Sequence, residues 1–234
     1  MAERHASHED PPRVQRLRAV TMEMRRSRPR SDLKRNVGTR TPKKRVLVVC
    51  EGEKTEPNYL SIIHVRSQNS TIDLIVVDEP ATSPRELVDR ACSELRESKR
   101  RVKRTKDPNE NIDEVWCAFD VDDHKYIKEA CNRAKDNGIR TAVSNPCLEV
   151  WLLMHFENPA GYLGRKEALR KLKVRIPDYE KNFTNIEHIL GKYQHARKHA
   201  QYLKTKHVGD GTEFPMDNPA SNIWELVESL KAQY

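Results

Sequence analysis

The sequence has no long apolar segment and few aromatic residues. No run of about 18 apolar residues occurs, which excludes a transmembrane helix, and the first residues lack the apolar core of a secretory signal. We therefore expect a cytoplasmic protein without a membrane partner. Phe, Trp and Tyr make up 6% of the 234 residues, too few for an extended base-stacking surface, so the three tryptophans are assigned to the core.

Motifs built on cysteine or on glycine-rich loops are also missing. The five cysteines include no C-x-x-C pair, which argues against a zinc ribbon and against a disulfide framework. The segment 52–55 looks like the end of a phosphate-binding loop but lacks the glycines that such a loop needs, so ATP binding by this chain is not expected. His195 and His199 have a spacing that suits zinc on a helix, but their polar surroundings favour a surface helix.

The excess positive charge lies at one end of the chain. The net charge is +8, and residues 1–44 hold 13 Lys and Arg against 5 Asp and Glu, which accounts for all of it. This segment has too few apolar residues to fold alone, so it is predicted to be a disordered basic arm. Such an arm can bind phosphates without reading sequence, and a merely solvated tail is the alternative.

A second basic stretch ends a predicted helix. Cations at that place complement the helix dipole, but six together could also contact a nucleic-acid backbone. The sequence leaves both interpretations open for these residues, which are Arg96, Lys99, Arg100, Arg101, Lys103 and Arg104.

From Arg45 onward, short apolar segments alternate with helical patterns. Segments 45–50, 72–77, 114–119 and 139–144 read as buried strands, and a helix is predicted after each. Four strand–helix repeats predict an α/β fold with a mainly parallel sheet of about four strands and helices on both faces. The core of this 45–234 domain is predicted over about 45–158. The remainder, about 159–234, is predicted as a C-terminal helical extension on the same core, with helices near 185–206 and 221–232.

Acidic residues follow the ends of the predicted strands. Glu51 follows the first strand, Asp120 and Asp122 end the third, and Glu149 lies in the first turn of the helix after the fourth. The carboxyl ends of parallel strands meet at one edge of a sheet, and residues i and i+2 of an extended segment face the same side. A carboxylate there is costly to desolvate unless it is paired or bound to a cation. We therefore predict a site for Mg²⁺ or Mn²⁺ that catalyses phosphodiester chemistry.

Three neighbouring residues are candidates for substrate binding at the same edge. Lys54 could contact a scissile phosphate, although a solvated lysine is equally compatible with its position. His124 could position water or phosphate, and Asn145 follows the fourth strand.

Two segments resemble the motifs of a known fold. Residues 48–56 and 119–123 resemble the glutamate and D-x-D motifs of the TOPRIM fold of topoisomerases, primases and OLD-family nucleases. With the segment 144–156, the chain more narrowly resembles the RloB-like family over about residues 44–230. The resemblance implies a TOPRIM-like fold, metal binding by Asp120 and Asp122, and an acid–base role for Glu51.

The resemblance also implies a biological context, and the sequence departs from the TOPRIM motif at some positions. It implies a place in anti-phage defence beside an ABC/SMC-like ATPase encoded nearby. The usual third acid of the motif is replaced by His124, which puts a second metal ion in question. Glu149 has no counterpart in the minimal TOPRIM pattern, so its metal role rests on geometry alone.

Three functional hypotheses follow. The first is a divalent-metal-dependent nuclease that cleaves DNA or RNA as the toxic effector of a defence system with a partner ATPase. The second is a non-catalytic TOPRIM-like binding subunit of such an ATPase complex. The third, an enzyme acting on small nucleotides, is the weakest, and a homo-oligomer is compatible with all three.

Overall fold

The computed structural model describes residues 43–77, 83–121, 124–180 and 187–231. The predicted basic arm therefore lies outside the described residues, except that Lys43 precedes the first strand and Lys44 begins it. Asp122 also lies outside them. In the described ranges, none of the helices combines the length and the apolar character that a bilayer crossing requires.

The centre of the protein is a five-stranded sheet with the order β2-β1-β3-β4-β5. The strands are β1 (Lys44–Cys50), β2 (Ile72–Val77), β3 (Glu114–Asp120), β4 (Arg140–Asn145) and β5 (Ala220–Ser221). The first four are parallel, which confirms the predicted mainly parallel sheet, and β5 pairs antiparallel with the end of β4. The sequence pattern does not predict β5, because two residues are too few to show an alternation.

Helices cover both faces of the sheet. They are α1 (Thr55–Ser67), α2 (Pro84–Thr105), α3 (Ile127–Asp136), α4 (Leu148–Met154), α5 (Arg165–Arg175), α6 (Glu187–Leu190), α7 (Tyr193–Gly209) and α8 (Ile223–Leu230), with a 3-10 turn at Pro108–Glu110. Ser83 caps α2 by accepting a hydrogen bond from the Glu86 amide. The single helix predicted near 185–206 is wrong, because α6 and α7 are separated by a turn at Gly191 and Lys192.

The apolar run of β1 explains why both faces need cover. Val46 and Val48 contribute to one hydrophobic cluster, while Leu47 and Val49 contribute to the other. Successive side chains of a strand point to opposite faces, so a strand that is apolar at every position must be buried on both. Residues of α2 and α3 form one cluster, and residues of α1, α4, α5, α7 and α8 form the other. The C-terminal helices thus pack on the same core as the sheet.

Candidate active-site cleft

A cleft of about 320 Å³ opens at the carboxyl ends of β1 and β3. Glu51 directly follows β1 and Asp120 ends β3, and these two strands are parallel neighbours. The rest of the lining comes from the β1–α1 loop and from the first turns of α1, α4 and α5, and consists of Gly52, Glu53, Lys54, Thr55, Glu56, Leu148, Glu149 and Arg165. The cleft therefore brings together three of the four acids expected from the sequence.

Both carboxylate oxygens of Glu51 are held by the protein. Oε2 accepts a hydrogen bond from the Asp120 backbone amide at 3.2 Å, and Oε1 lies 2.5 Å from Nε2 of His124. The Glu51 amide in turn donates to the carbonyl of Ala118 at 2.9 Å. These contacts fix the orientation of the Glu51 carboxylate and place the imidazole of His124 directly against it. His124 does not line the cleft itself, but it contacts Glu51, which does.

The Asp120 carboxyl lies in an acidic environment. It is partly exposed to the cleft, yet burial raises its pKa well above the usual range, and the nearby carboxylates of Glu56, Glu149 and Glu51 raise the pKa further. Arg165 opposes this shift. Like charges close together cannot all ionise without a compensating cation. The arrangement therefore either keeps a proton on Asp120 or attracts a positive ion.

Glu149 is buried, with 7% of its surface exposed, and is held by a tyrosine. The Tyr179 hydroxyl, in the segment after α5, donates to Oε1 of Glu149 at 3.1 Å. Burial, followed by the charge of Glu149, raises the pKa of Tyr179, so its hydroxyl keeps its proton and remains a donor. Tyr179 could not be identified from the sequence, because nothing local marks a tyrosine 30 residues downstream as a partner of Glu149.

Glu56 is a second site residue that the sequence analysis did not single out. It lies in the first turn of α1, where an acid is ordinarily explained by the helix dipole. Gly52 is the reason that its carboxylate reaches the cleft, because a Cβ atom at position 52 would overlap the Glu56 carboxyl group. The glycine after Glu51 in the sequence is the one local signal for this close approach.

Two cations border the acids. Lys54 is exposed at the start of α1 and lines the cleft, as its predicted role in phosphate binding requires. Arg165, the first residue of α5, lines the cleft as well, and it has no motif in the sequence that would have identified it. The cleft thus offers positive charge next to its carboxylates.

Asn145 is placed differently from the other candidates. It is buried and does not line the cleft. Its amide nitrogen donates to the carbonyl of Pro215 at 3.0 Å, and its amide oxygen accepts from Asn218 at 3.0 Å. Because both ends of the amide hold the C-terminal segment against β4, this geometry does not support the predicted substrate contact.

The carboxylates supply the oxygen donors that Mg²⁺ and Mn²⁺ prefer. Among the described residues, which do not include Asp122, no group of three or more His, Cys, Asp or Glu side chains is arranged tightly enough to hold a metal ion. His195 and His199 have ring centroids 6.5 Å apart, and Nδ1 of His199 already bonds to the carbonyl of Met154. The metal-binding role of the cleft therefore stays a prediction that rests on donor chemistry and charge.

Comparison with known proteins gives one match. A protein-family model described as RloB-like protein matches residues 46–230, well over half of the chain. The matched range includes every residue that lines the cleft and the whole sheet from Val46 onward. No curated protein and no solved structure shows significant similarity to the chain.

Proposed function

The chain belongs to the RloB-like family, and from this membership together with the acidic cleft we propose that it is a divalent-metal-dependent nuclease. It would hydrolyse phosphodiester bonds of DNA or RNA in the cytoplasm. The TOPRIM-like character of the fold belongs to the same proposal. So does the role as a toxic effector of anti-phage defence beside an ABC/SMC-like ATPase, because both follow from the resemblance of the motifs.

The environment of Asp120 is the observation that carries this proposal. Three other carboxylates lie near enough to raise its pKa, at the carboxyl end of a central parallel strand. A structural role would be better served by fewer acids, since each added negative charge raises the free energy of the site. A divalent cation removes this cost, which supports metal binding as the reason that the acids are gathered there.

The residues of the cleft would have the following roles. Asp120, Glu56 and Glu149 would offer carboxylate oxygens to Mg²⁺ or Mn²⁺, with Asp122 as a further predicted ligand. A bound ion of this kind polarises a phosphodiester and makes bound water more acidic. Glu51 would accept a proton from an attacking water on its carboxylate, and the hydrogen bond to His124 would hold that carboxylate in place. Lys54 and Arg165 would bind the phosphate oxygens.

A cleavage assay with matched variants tests the proposal. We expect the wild-type chain to cut DNA or RNA with Mg²⁺ or Mn²⁺ and to be inactive with EDTA. Glu51→Gln and Asp120→Asn should each lower the rate at least about 100-fold, because each removes a group that acts on the reacting atoms or on the ion. The controls Glu129→Gln and Asp136→Asn, at exposed acids of α3, should keep the wild-type rate.

A non-catalytic binding subunit is the second candidate. It is favoured by the engagement of both Glu51 oxygens with protein groups. Metal-dependent cleavage that is missing with and without the partner ATPase, while the two proteins still co-purify, would establish this alternative. Residual activity that is equal in the cleft variants and in the controls would also reject the nuclease assignment.

A further inference from the structure

The C-terminal end of α2 carries a stripe of exposed cations. From position 96 to 104 they recur three, four, seven and eight residues after Arg96, which places them on one side of the helix, and one more lysine follows at the C-cap position 106. We call this set the α2 stripe, and its members are Arg96, Lys99, Arg100, Lys103, Arg104 and Lys106. Lys106 caps the helix end. Arg101 is partly buried and pairs with Glu110 at 3.6 Å, so it does not belong to the stripe.

The α2 stripe has few negative partners within the protein. Across the described ranges, Arg100 is the one member in an ion pair, with Glu97 at 3.8 Å. The helix dipole explains only part of the pattern, because its effect is confined to the last turn, which contains Lys103 and Arg104. Arg96 and Lys99 lie a turn or more earlier, so the helix dipole does not account for their positive charge.

We propose that the α2 stripe is an anchoring site for the phosphodiester backbone of a nucleic acid, separate from the cleft. A protein partner fits this surface less well, since protein interfaces depend on buried aromatic and aliphatic anchors. The large exposed apolar side chains of the described residues all lie outside α2, at Val65, Tyr126, Tyr162, Val174, Tyr202, Val208 and Met216. A charged surface without apolar anchors suits phosphate contacts, which need cations alone.

The position of α2 separates the α2 stripe from the cleft. The helix begins after β2, on the carboxyl side of the sheet, and runs to the opposite edge, where the Ser98 hydroxyl donates to the Glu110 carbonyl and accepts from the Ile112 amide. β3 spans about 20 Å between the two edges. The last two turns of α2 project about 10 Å further. A duplex would need about nine base pairs to reach from the far end of the stripe to the cleft, so the stripe would hold a long polymer away from the reacting bond.

The test is a salt titration of nucleic-acid binding by the full chain in EDTA. The variant Lys99→Gln, Lys103→Gln, Lys106→Gln removes three cations of the α2 stripe. Its control, Lys173→Gln, Lys198→Gln, Lys206→Gln, removes three exposed lysines from α5 and α7. We expect the slope of log affinity against log salt for a 20-base-pair duplex to fall by about 1 for each stripe lysine, hence by about 3, and to stay at the wild-type value in the control.

Each remaining outcome overturns the proposal. Equal losses in the two variants would show that general positive charge attracts the duplex, and an unchanged slope in the stripe variant would show that α2 does not touch it. An equal loss of binding to poly-glutamate would make the stripe a site for any polyanion. Duplex DNA, duplex RNA and single strands are compared in parallel to identify the polymer. Because no cleavage occurs in EDTA, failure of this proposal and failure of the nuclease proposal are separate results.

Discussion

Glu51 and Asp120 lie side by side in the cleft but have opposite surroundings. One carboxylate oxygen of Glu51 accepts a hydrogen bond from a backbone amide, and the other contacts an imidazole. Asp120 instead lies among carboxylates that raise its pKa. Glu51 is therefore oriented by protein groups, whereas burial and the surrounding acids disfavour the charged form of Asp120.

Gly52 controls whether Glu56 can join these acids. In Gly52→Ala the new methyl group must displace the Glu56 carboxylate, which is the mobile end of a side chain. The free energy of unfolding should change by less than about 1 kcal/mol. Metal-dependent cleavage should fall about tenfold to 100-fold, because a displacement of about 1 Å in a site has effects of that size.

The matched control for this prediction is Gly209→Ala, where a Cβ atom meets no neighbour within 4 Å. Cleavage rates and urea unfolding curves of the two variants are compared with the wild type. Full activity of Gly52→Ala would show that the position of Glu56 is irrelevant to the reaction.

At the scale of elements, the outer edge of β4 is covered partly by a side chain. β5 pairs only with Ser144 and Asn145. Beyond that pairing, Oδ1 of Asn222 accepts from the Val143 amide at 2.7 Å, and Nδ2 donates to the Thr141 carbonyl at 2.9 Å. The Asn222 amide thus satisfies strand-edge groups that would otherwise lack partners, and it joins the start of α8 to the sheet.

Asn222→Ala should therefore lower the free energy of unfolding by roughly 2 kcal/mol, since it leaves a donor and an acceptor of β4 without their partners. Asn222→Asp keeps the acceptor for the Val143 amide but places a carboxylate oxygen against the Thr141 carbonyl, so it should lose at least as much. Asn132→Ala, at an exposed asparagine of α3, is the control. The measurement is urea unfolding, and a loss below about 0.5 kcal/mol in Asn222→Ala would contradict this role.

At the scale of the whole molecule, buried aromatic contacts join helices that are far apart in the sequence. The Trp151 indole of α4 donates to the Tyr59 hydroxyl of α1 at 2.7 Å, and the ring of Tyr193, from α7, lies edge-on to Trp151. His155 is fully buried beside them, and Nδ1 contacts the carbonyl of Trp151. Nε2 of His155 has no hydrogen-bond partner within the described residues.

This histidine should make the stability of the protein depend on pH. Burial lowers the pKa of His155 from 6.5 to about 4, so the unfolded chain takes up the proton before the folded one does. The contribution to stability is complete above about pH 6.5 and is lost as the pH falls towards 4, by up to about 3 kcal/mol. His155→Gln and His155→Asn should both flatten the unfolding free energy over this pH range. Variants with the wild-type pH dependence would refute the effect.

Some features could be predicted from the sequence because they are local. The apolar runs of β1 to β4 indicate parallel strands, and strand ends bring Glu51 and Asp120 to one edge. Other residues could not be predicted, since they depend on long-range packing. Tyr179 meets Glu149 across 30 residues, and Asn145 meets Pro215 across 70.

By itself the sequence determined the α/β class, the order of the parallel strands along the chain and the edge at which acids collect, because periodicity and strand ends are properties of short segments. Only the tertiary structure decided which side chains complete the cleft. The approach of Glu56 over Gly52, the position of Arg165 and the bond from Tyr179 depend on where α1, α5 and the following segment pack against the sheet. That packing is set by burial of the shared core and not by any local pattern of residues.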